Sequence, residues 1–200
     1  MKVAALQMVS GSQLQANLDQ ARALLQQASQ AGAELAVLPE YFCLMGQRET
    51  DKLALAEAHG SGPIQDFLAA AARQYGLWVV GGTLPLQSPV PGRVANACLV
   101  FDPSGQPVAR YDKIHLFCYD NGRERYDEAA VLVAGSAPVA FDLDDRSGQR
   151  WRVGLSVCYD LRFPELYRHL AADLLLVPAA FTYGTGQAHW ELLLRARAIE

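Results

Sequence analysis

The chain has no run of five like charges and no run of 18 apolar residues. The first absence argues against a nucleic-acid partner, which needs a clustered basic face, and the formal net charge of −4 points the same way. The second leaves no candidate for a membrane-spanning helix. Cysteine is sparse: Cys43, Cys98, Cys118 and Cys158 form neither a Cys-x-x-Cys pair nor a His/Cys cluster with zinc spacing. Free thiols in a reducing compartment are therefore expected, with no metal and no organic cofactor. Charged residues are 19% of the chain, below the typical figure of about 25%. The opening Met1-Lys2-Val3-Ala4-Ala5-Leu6-Gln7 turns polar at once and does not read as a signal peptide, so the expected location is cytoplasmic. What is abundant is apolar surface, 51% of 200 residues, spread along the chain with no repeat or linker. That is enough for one core without disulfides, and a single domain over residues 1–200 is expected.

The hydrophobic pattern alternates between two periods. Val3 to Met8 is a short apolar run that predicts a buried strand. Leu14, Leu18, Ala21, Leu25 and Ala28 recur at helical spacing, with Gly32 as the stop. Leu35 to Leu38 is a second buried strand ended by Pro39, which completes a βαβ unit and favours parallel pairing. Pro63 opens a helix carrying Ile64, Phe67, Leu68, Ala71 and Tyr75, and Gly76 closes it before a strand over 77–80. Asp102-Pro103-Ser104-Gly105 reads as the turn of a hairpin between 94–101 and 107–111. Further strands are expected at 151–157 and 173–177. Helices are expected over Phe163 to Ala171 and along the stripe Trp190, Leu193, Leu194, Ala198. The fold class is α/β, with helices covering mixed sheets. The last residue, Glu200, falls inside a helical pattern with no cap after it, which predicts a domain incomplete at its C-terminus.

Three segments each place a reactive side chain just after an expected strand. Glu40 follows Leu35-Ala-Val-Leu-Pro, Lys113 follows Val108-Ala-Arg-Tyr-Asp, and Cys158 follows Trp151-Arg-Val-Gly-Leu-Ser-Val. Ligands of open α/β sheets collect beyond the carboxyl ends of strands, so the three converge if their strands run the same way. The chemistry is coherent. A carboxylate can take the proton of a thiol, and an ammonium can stabilise both the thiolate and an oxyanion formed by its attack. The Tyr159 N–H, next after the thiol, is the natural second oxyanion donor. His115 offers a Cys–His alternative, and position alone does not choose between it and Glu40 as the base. Gly81-Gly82-Thr83 is too short for a phosphate loop.

Leu38-Pro39-Glu40-Tyr41-Phe42, Tyr111-Asp112-Lys113-Ile114-His115-Leu116-Phe117 and Cys158-Tyr159-Asp160-Leu161-Arg162-Phe163-Pro164-Glu165-Leu166 resemble, in order, the three signature segments of the nitrilase superfamily of carbon–nitrogen hydrolases. The segment from Thr185 to Glu200 resembles the Nit branch in particular. The resemblance implies a four-layer αββα sandwich, a homodimer or larger homo-oligomer, and a Glu-Lys-Cys triad: Glu40 as base, Lys113 as stabiliser, Cys158 as nucleophile. It implies a second, assisting glutamate, for which Glu128 fits better than its neighbour Glu124. It also implies hydrolysis of a small amide through a thioester, with deaminated glutathione and ω-amides of α-keto acids as the Nit-branch substrates. Nitrilase, N-carbamoyl-amino-acid hydrolase and aliphatic amidase activities, or a catalytically idle scaffold, are the competing readings. An anionic substrate calls for a cation besides Lys113. Arg162 is the candidate clamp, against an ion pair with Asp160 or Glu165. Thr182 is a weaker candidate for a substrate hydrogen bond. Tyr41, Phe42 and Phe117 are candidate pocket walls.

Overall fold

A computed structural model describes residues 1–200. The elements follow in the order β1 (Val3–Ala5), α1 (Leu14–Gln30), β2 (Leu35–Val37), α2 (Asp51–Ala54), α3 (Pro63–Tyr75), β3 (Trp78–Val80), β4 (Leu84–Gln87), β5 (Val94–Phe101) and β6 (Pro107–Asp112). Then come β7 (Cys118–Asp120), β8 (Arg125–Asp127), β9 (Leu132–Val133), β10 (Val139–Asp144), β11 (Arg150–Leu155), α4 (Pro164–Leu170), β12 (Leu174–Leu176) and α5 (Tyr183–Ile199). No helix is long and apolar enough to cross a membrane.

Two sheets form. The first has seven strands: β1-β2-β3-β5-β4 in order, with β6 and β9 also pairing to β5. β1, β2 and β3 run parallel through the two expected crossover helices, α1 and α3. β5 turns antiparallel to β3 and β6 turns back again, so β2 and β6 run the same way. The second sheet is β10-β11-β12, with the last pair parallel.

Alternation along the strands builds the layers. Ala36 and Leu38 face α1 and α3 in a core of 23 buried residues. Leu35 and Val37 point the other way, toward Phe141, Val153 and Leu155 of the second sheet. β5 is buried at all eight positions because both its faces are covered. Leu161, Leu166, Tyr167 and Leu170 then pack against Trp190, Leu193 and Leu194 of α5. The four layers are therefore α1 with α3, the large sheet, the small sheet, and α4 with α5. Full burial of side chains such as Leu25 and Leu68 contributes roughly 1.5–3 kcal/mol each.

Several boundaries differ from expectation. β1 ends at Ala5, although Leu6 N still donates to Val37 O at 2.9 Å before the chain turns away. The strand expected over 151–157 stops at Leu155, because Ser156 and Val157 already belong to the approach to the site. α5 begins at Tyr183, well ahead of the Trp190 stripe; Gly184 and Gly186 hide its first turn from any apolar pattern.

Candidate active site

Glu40 lies three residues beyond β2, on a turn seated by a close backbone approach. Gly82 has φ +52°, and a Cβ there would lie 1.9 Å from the Pro39 carbonyl oxygen, so glycine is required. Tyr41 follows at φ +57°, its N–H donating to Thr83 Oγ1 at 2.9 Å. The Gly81-Gly82-Thr83 step, whose role was not legible as a motif, is thus the seat of the Glu40 loop.

The Glu40 carboxylate is 2% exposed and fully engaged. Its Oε1 accepts from Asn96 Nδ2 and Lys113 Nζ, each at 3.0 Å, and its Oε2 accepts from the Ala180 N–H at 3.0 Å. Lys113, 1% exposed, also reaches Glu128, 2.9 Å from Oε1 and 2.8 Å from Oε2. Glu128 accepts in addition from the Tyr41 hydroxyl at 2.8 Å and the Phe117 N–H at 2.7 Å. One ammonium thus sits between two buried carboxylates. Burial disfavours the charged amine, but Glu40 and Glu128 together outweigh it and hold the Lys113 pKa above its ordinary value. Lys113 stays an ammonium and is no general base.

Cys158 opens a 3-10 turn over Cys158–Arg162 with φ +48°, a left-handed value that L-residues rarely adopt. Its N–H donates to Pro178 O at 2.9 Å, and that of Asp160 to Val157 O at 3.0 Å; Tyr159, between them, donates to no loop carbonyl. Burial, and then the neighbouring Glu40 charge, push the Cys158 pKa well above the usual thiol value, while Lys113 opposes them. At rest Cys158 is a protonated thiol beside an acceptor carboxylate.

Glu40, Glu128, Cys158, Tyr159, Phe117 and Thr182 border one cavity of about 40 Å³. Thr182 Oγ1 lies 2.6 Å from Thr185 Oγ1, which borders the same cavity. Arg162 makes no ion pair with Asp160 or Glu165. Its guanidinium carbon sits 5.6 Å from the Phe181 ring centre and 6.0 Å from that of Tyr159, with Nη2 3.3 Å from His189 Nδ1. Tyr41 and Phe117 wall the cavity, whereas Phe42 is fully buried in the helix-side core. Glu124 is exposed on the β7–β8 turn, so it is Glu128 that meets Lys113. His115 does not serve Cys158: its Nδ1 is 2.7 Å from Asp160 Oδ1 and its ring stacks on Phe163 at 3.6 Å.

Asn96, Ala180 and Thr185 were not singled out from sequence. Asn96 carried a usable signal: it is the one amide in Val-Ala-Asn-Ala-Cys-Leu-Val-Phe, and a buried amide needs partners. Ala180 acts through its backbone and leaves no side-chain signal.

Residues 2–200 match the carbon–nitrogen hydrolase family. The chain is 42% identical over 205 residues to the deaminated glutathione amidase of Synechocystis sp., an alignment covering 98% of this chain and 72% of that protein. It is 36% identical over 188 residues to omega-amidase NIT2-B of Xenopus laevis, covering 92% of this chain and 65% of that one. The crystal structure of Saccharomyces cerevisiae Nit3, a member of branch 10 of the nitrilase superfamily, superposes with a TM-score of 0.83 at 30% identity over 99% of this chain and 71% of that one.

Proposed function

This chain belongs to the carbon–nitrogen hydrolase family, and from that premise we propose that residues 1–200 belong to one amidase domain that cleaves a small anionic amide, with deaminated glutathione or an ω-amide of an α-keto acid as the substrate class. The observation that carries the reading is the buried Glu40–Lys113–Glu128 cluster set against the Cys158 thiol. The names of the relatives in Synechocystis and Xenopus support the substrate class. So does Arg162, a guanidinium with no carboxylate partner beside the rings of Tyr159 and Phe181.

The steps follow from the charges. Cys158 Sγ passes its proton to Glu40 as it attacks the amide carbon. The oxygen becomes an oxyanion, stabilised by the Lys113 ammonium and the Tyr159 N–H. The protonated Glu40 returns its proton to the nitrogen, the C–N bond breaks, ammonia departs and a Cys158 thioester remains. Glu40 then deprotonates a water that attacks the thioester, and its proton goes back to the Cys158 sulfur as the acid leaves. Glu128 holds Lys113 in place and balances its charge throughout. Arg162 holds the substrate carboxylate, and Thr182 donates to the substrate.

The test is ammonia release from deaminated glutathione, α-ketoglutaramate, a neutral aliphatic amide, a nitrile and an N-carbamoyl amino acid, with Cys158→Ala alongside. Cys158-dependent release from the first two supports the proposal. Release from the others alone keeps the triad and overturns the substrate class. Release that persists in Cys158→Ala overturns the nucleophile.

A further inference from the structure

Asp160 plays no part in the steps above, yet it is the most heavily bonded carboxylate near them. It is 0% exposed and lies two residues after Cys158. Its Oδ2 accepts from the Val157 N–H at 2.8 Å and from the Tyr111 hydroxyl at 2.7 Å. Its Oδ1 accepts from the His115 N–H at 3.0 Å and faces His115 Nδ1 at 2.7 Å. The donors fall into two groups. Val157 immediately precedes Cys158. Tyr111 and His115 flank Lys113 at two residues on either side. The Tyr111 hydroxyl also accepts from the Ile114 N–H at 3.3 Å, so the residue after Lys113 is tied into the same network.

One carboxylate therefore grips the chain around the nucleophile and the chain around the ammonium. These belong to different sheets. Lys113 follows β6 of the large sheet, and Cys158 follows β11 of the small one. We propose that Asp160 is a positioning residue that sets the distance between the Lys113 ammonium and Cys158, and that it acts on turnover through that distance without touching the substrate. This rests on the reading that Lys113 and Cys158 work as one site.

The alternative is a plain capping role. Asp160 does cap its own 3-10 turn, through the Val157 N–H at 2.8 Å. A cap would need that single bond and nothing from Tyr111 or His115. The bonds to those two side chains span 49 and 45 residues and serve the Lys113 segment alone. An asparagine keeps the shape but offers a single acceptor oxygen, so either the Val157 and Tyr111 donors together or both His115 contacts lose their partner, and the tie between the two segments is weakened either way.

The experiment compares wild type with Asp160→Asn. It uses the amide the protein turns over best, at a temperature well below unfolding, together with the crystal structure of the variant. The proposal expects kcat to fall about a hundredfold, as a displacement near 1 Å does, with KM within about twofold. It also expects Lys113 Nζ to leave hydrogen-bond range of Glu40 Oε1, from 3.0 Å in the wild type. A lower melting temperature with unchanged kcat and unchanged Lys113 overturns it in favour of a cap. If Asp160→Asn fails to fold, Tyr111→Phe and His115→Ala each remove one side-chain donor and leave the cap bond. A loss in kcat at constant KM in these supports the proposal, and full kcat in both overturns it. The structural readout needs no substrate. An absence of turnover in wild type therefore sinks the amidase reading and leaves the position of Lys113 in the variant to decide this one.

Discussion

Three of the four cysteines are buried, but they lie in different surroundings. Cys43 and Cys98 sit in apolar packing, and burial pushes both thiols up to about 12. Cys98 faces Val80, Val100 and Tyr111 between the sheets. Cys158 belongs to the same inter-sheet core and is also raised by burial, but it lies in the field of a carboxylate and an ammonium of opposite effect. The comparison teaches that burial alone makes a thiol inert. In the proposed mechanism, what makes Cys158 a nucleophile is an acceptor for its proton and a cation that stabilises the charge it leaves behind.

The largest break of this comparison is Cys158→Ala against Cys98→Ala. The first should abolish amide turnover with little change in fold; the second should keep turnover and lose roughly 1 kcal/mol of stability to a small cavity. Steady-state ammonia release and thermal unfolding measure the two, and equal activities would erase the distinction. Next is Lys113→Ala, expected to lower kcat by about 10²–10³ as a lost oxyanion donor does. It should also destabilise the fold by about 3–5 kcal/mol, since Glu40 and Glu128 then face each other without their cation. A change confined to KM would contradict the assigned role.

A sharper form uses the pH dependence of Cys158 alkylation. The Glu40 charge raises the thiol pKa, so Glu40→Gln should move the profile to lower pH. Lys113 lowers it, so Lys113→Ala should move the profile to higher pH. Shifts of the same sign in both variants would show that burial alone governs the thiol. The smallest expected effect is Arg162→Ala. It should raise KM for anionic amides by about tenfold to a hundredfold, as the loss of a charged hydrogen bond would, and spare neutral amides. Equal losses for both would return Arg162 to a packing role on Phe181 and Tyr159.

How much of this was legible depends on the residue. Lys113 follows the mixed stretch Val108-Ala-Arg-Tyr-Asp and owes its reading to the segment Tyr111 to Phe117, whereas Glu40 and Cys158 each end an apolar run, a chain pattern visible without coordinates. The two crossover helices were visible for the same reason, through stripes such as Leu18, Ala21, Leu25 and Ala28. β4 was not, because Pro85 sits inside it; the sheet tolerates it on an edge strand. β7 and β8 are short and polar and were hidden among charges. β10 carries a short alternation, Phe141 and Leu143 inside with Asp142 and Asp144 outside, that only the structure identifies as a strand. Glu128 was separable from Glu124 by family resemblance alone, since the two differ only in which one the fold turns inward. The grip of Asp160 was invisible, because its partners are assembled by the docking of two sheets.

That docking has a consequence for how the molecule comes to life. The bonds of the site close long loops: 73 residues between Lys113 and Glu40, 56 between Asn96 and Glu40, and 140 between Ala180 and Glu40. Bonds of such separation form late, after the intervening chain has collapsed. The left-handed Cys158 is held by Pro178, beyond β12, and can be fixed only when that strand is in place. A nascent or half-folded chain therefore carries Cys158 as an ordinary thiol, and the proposed thioester chemistry becomes available with the last steps of folding.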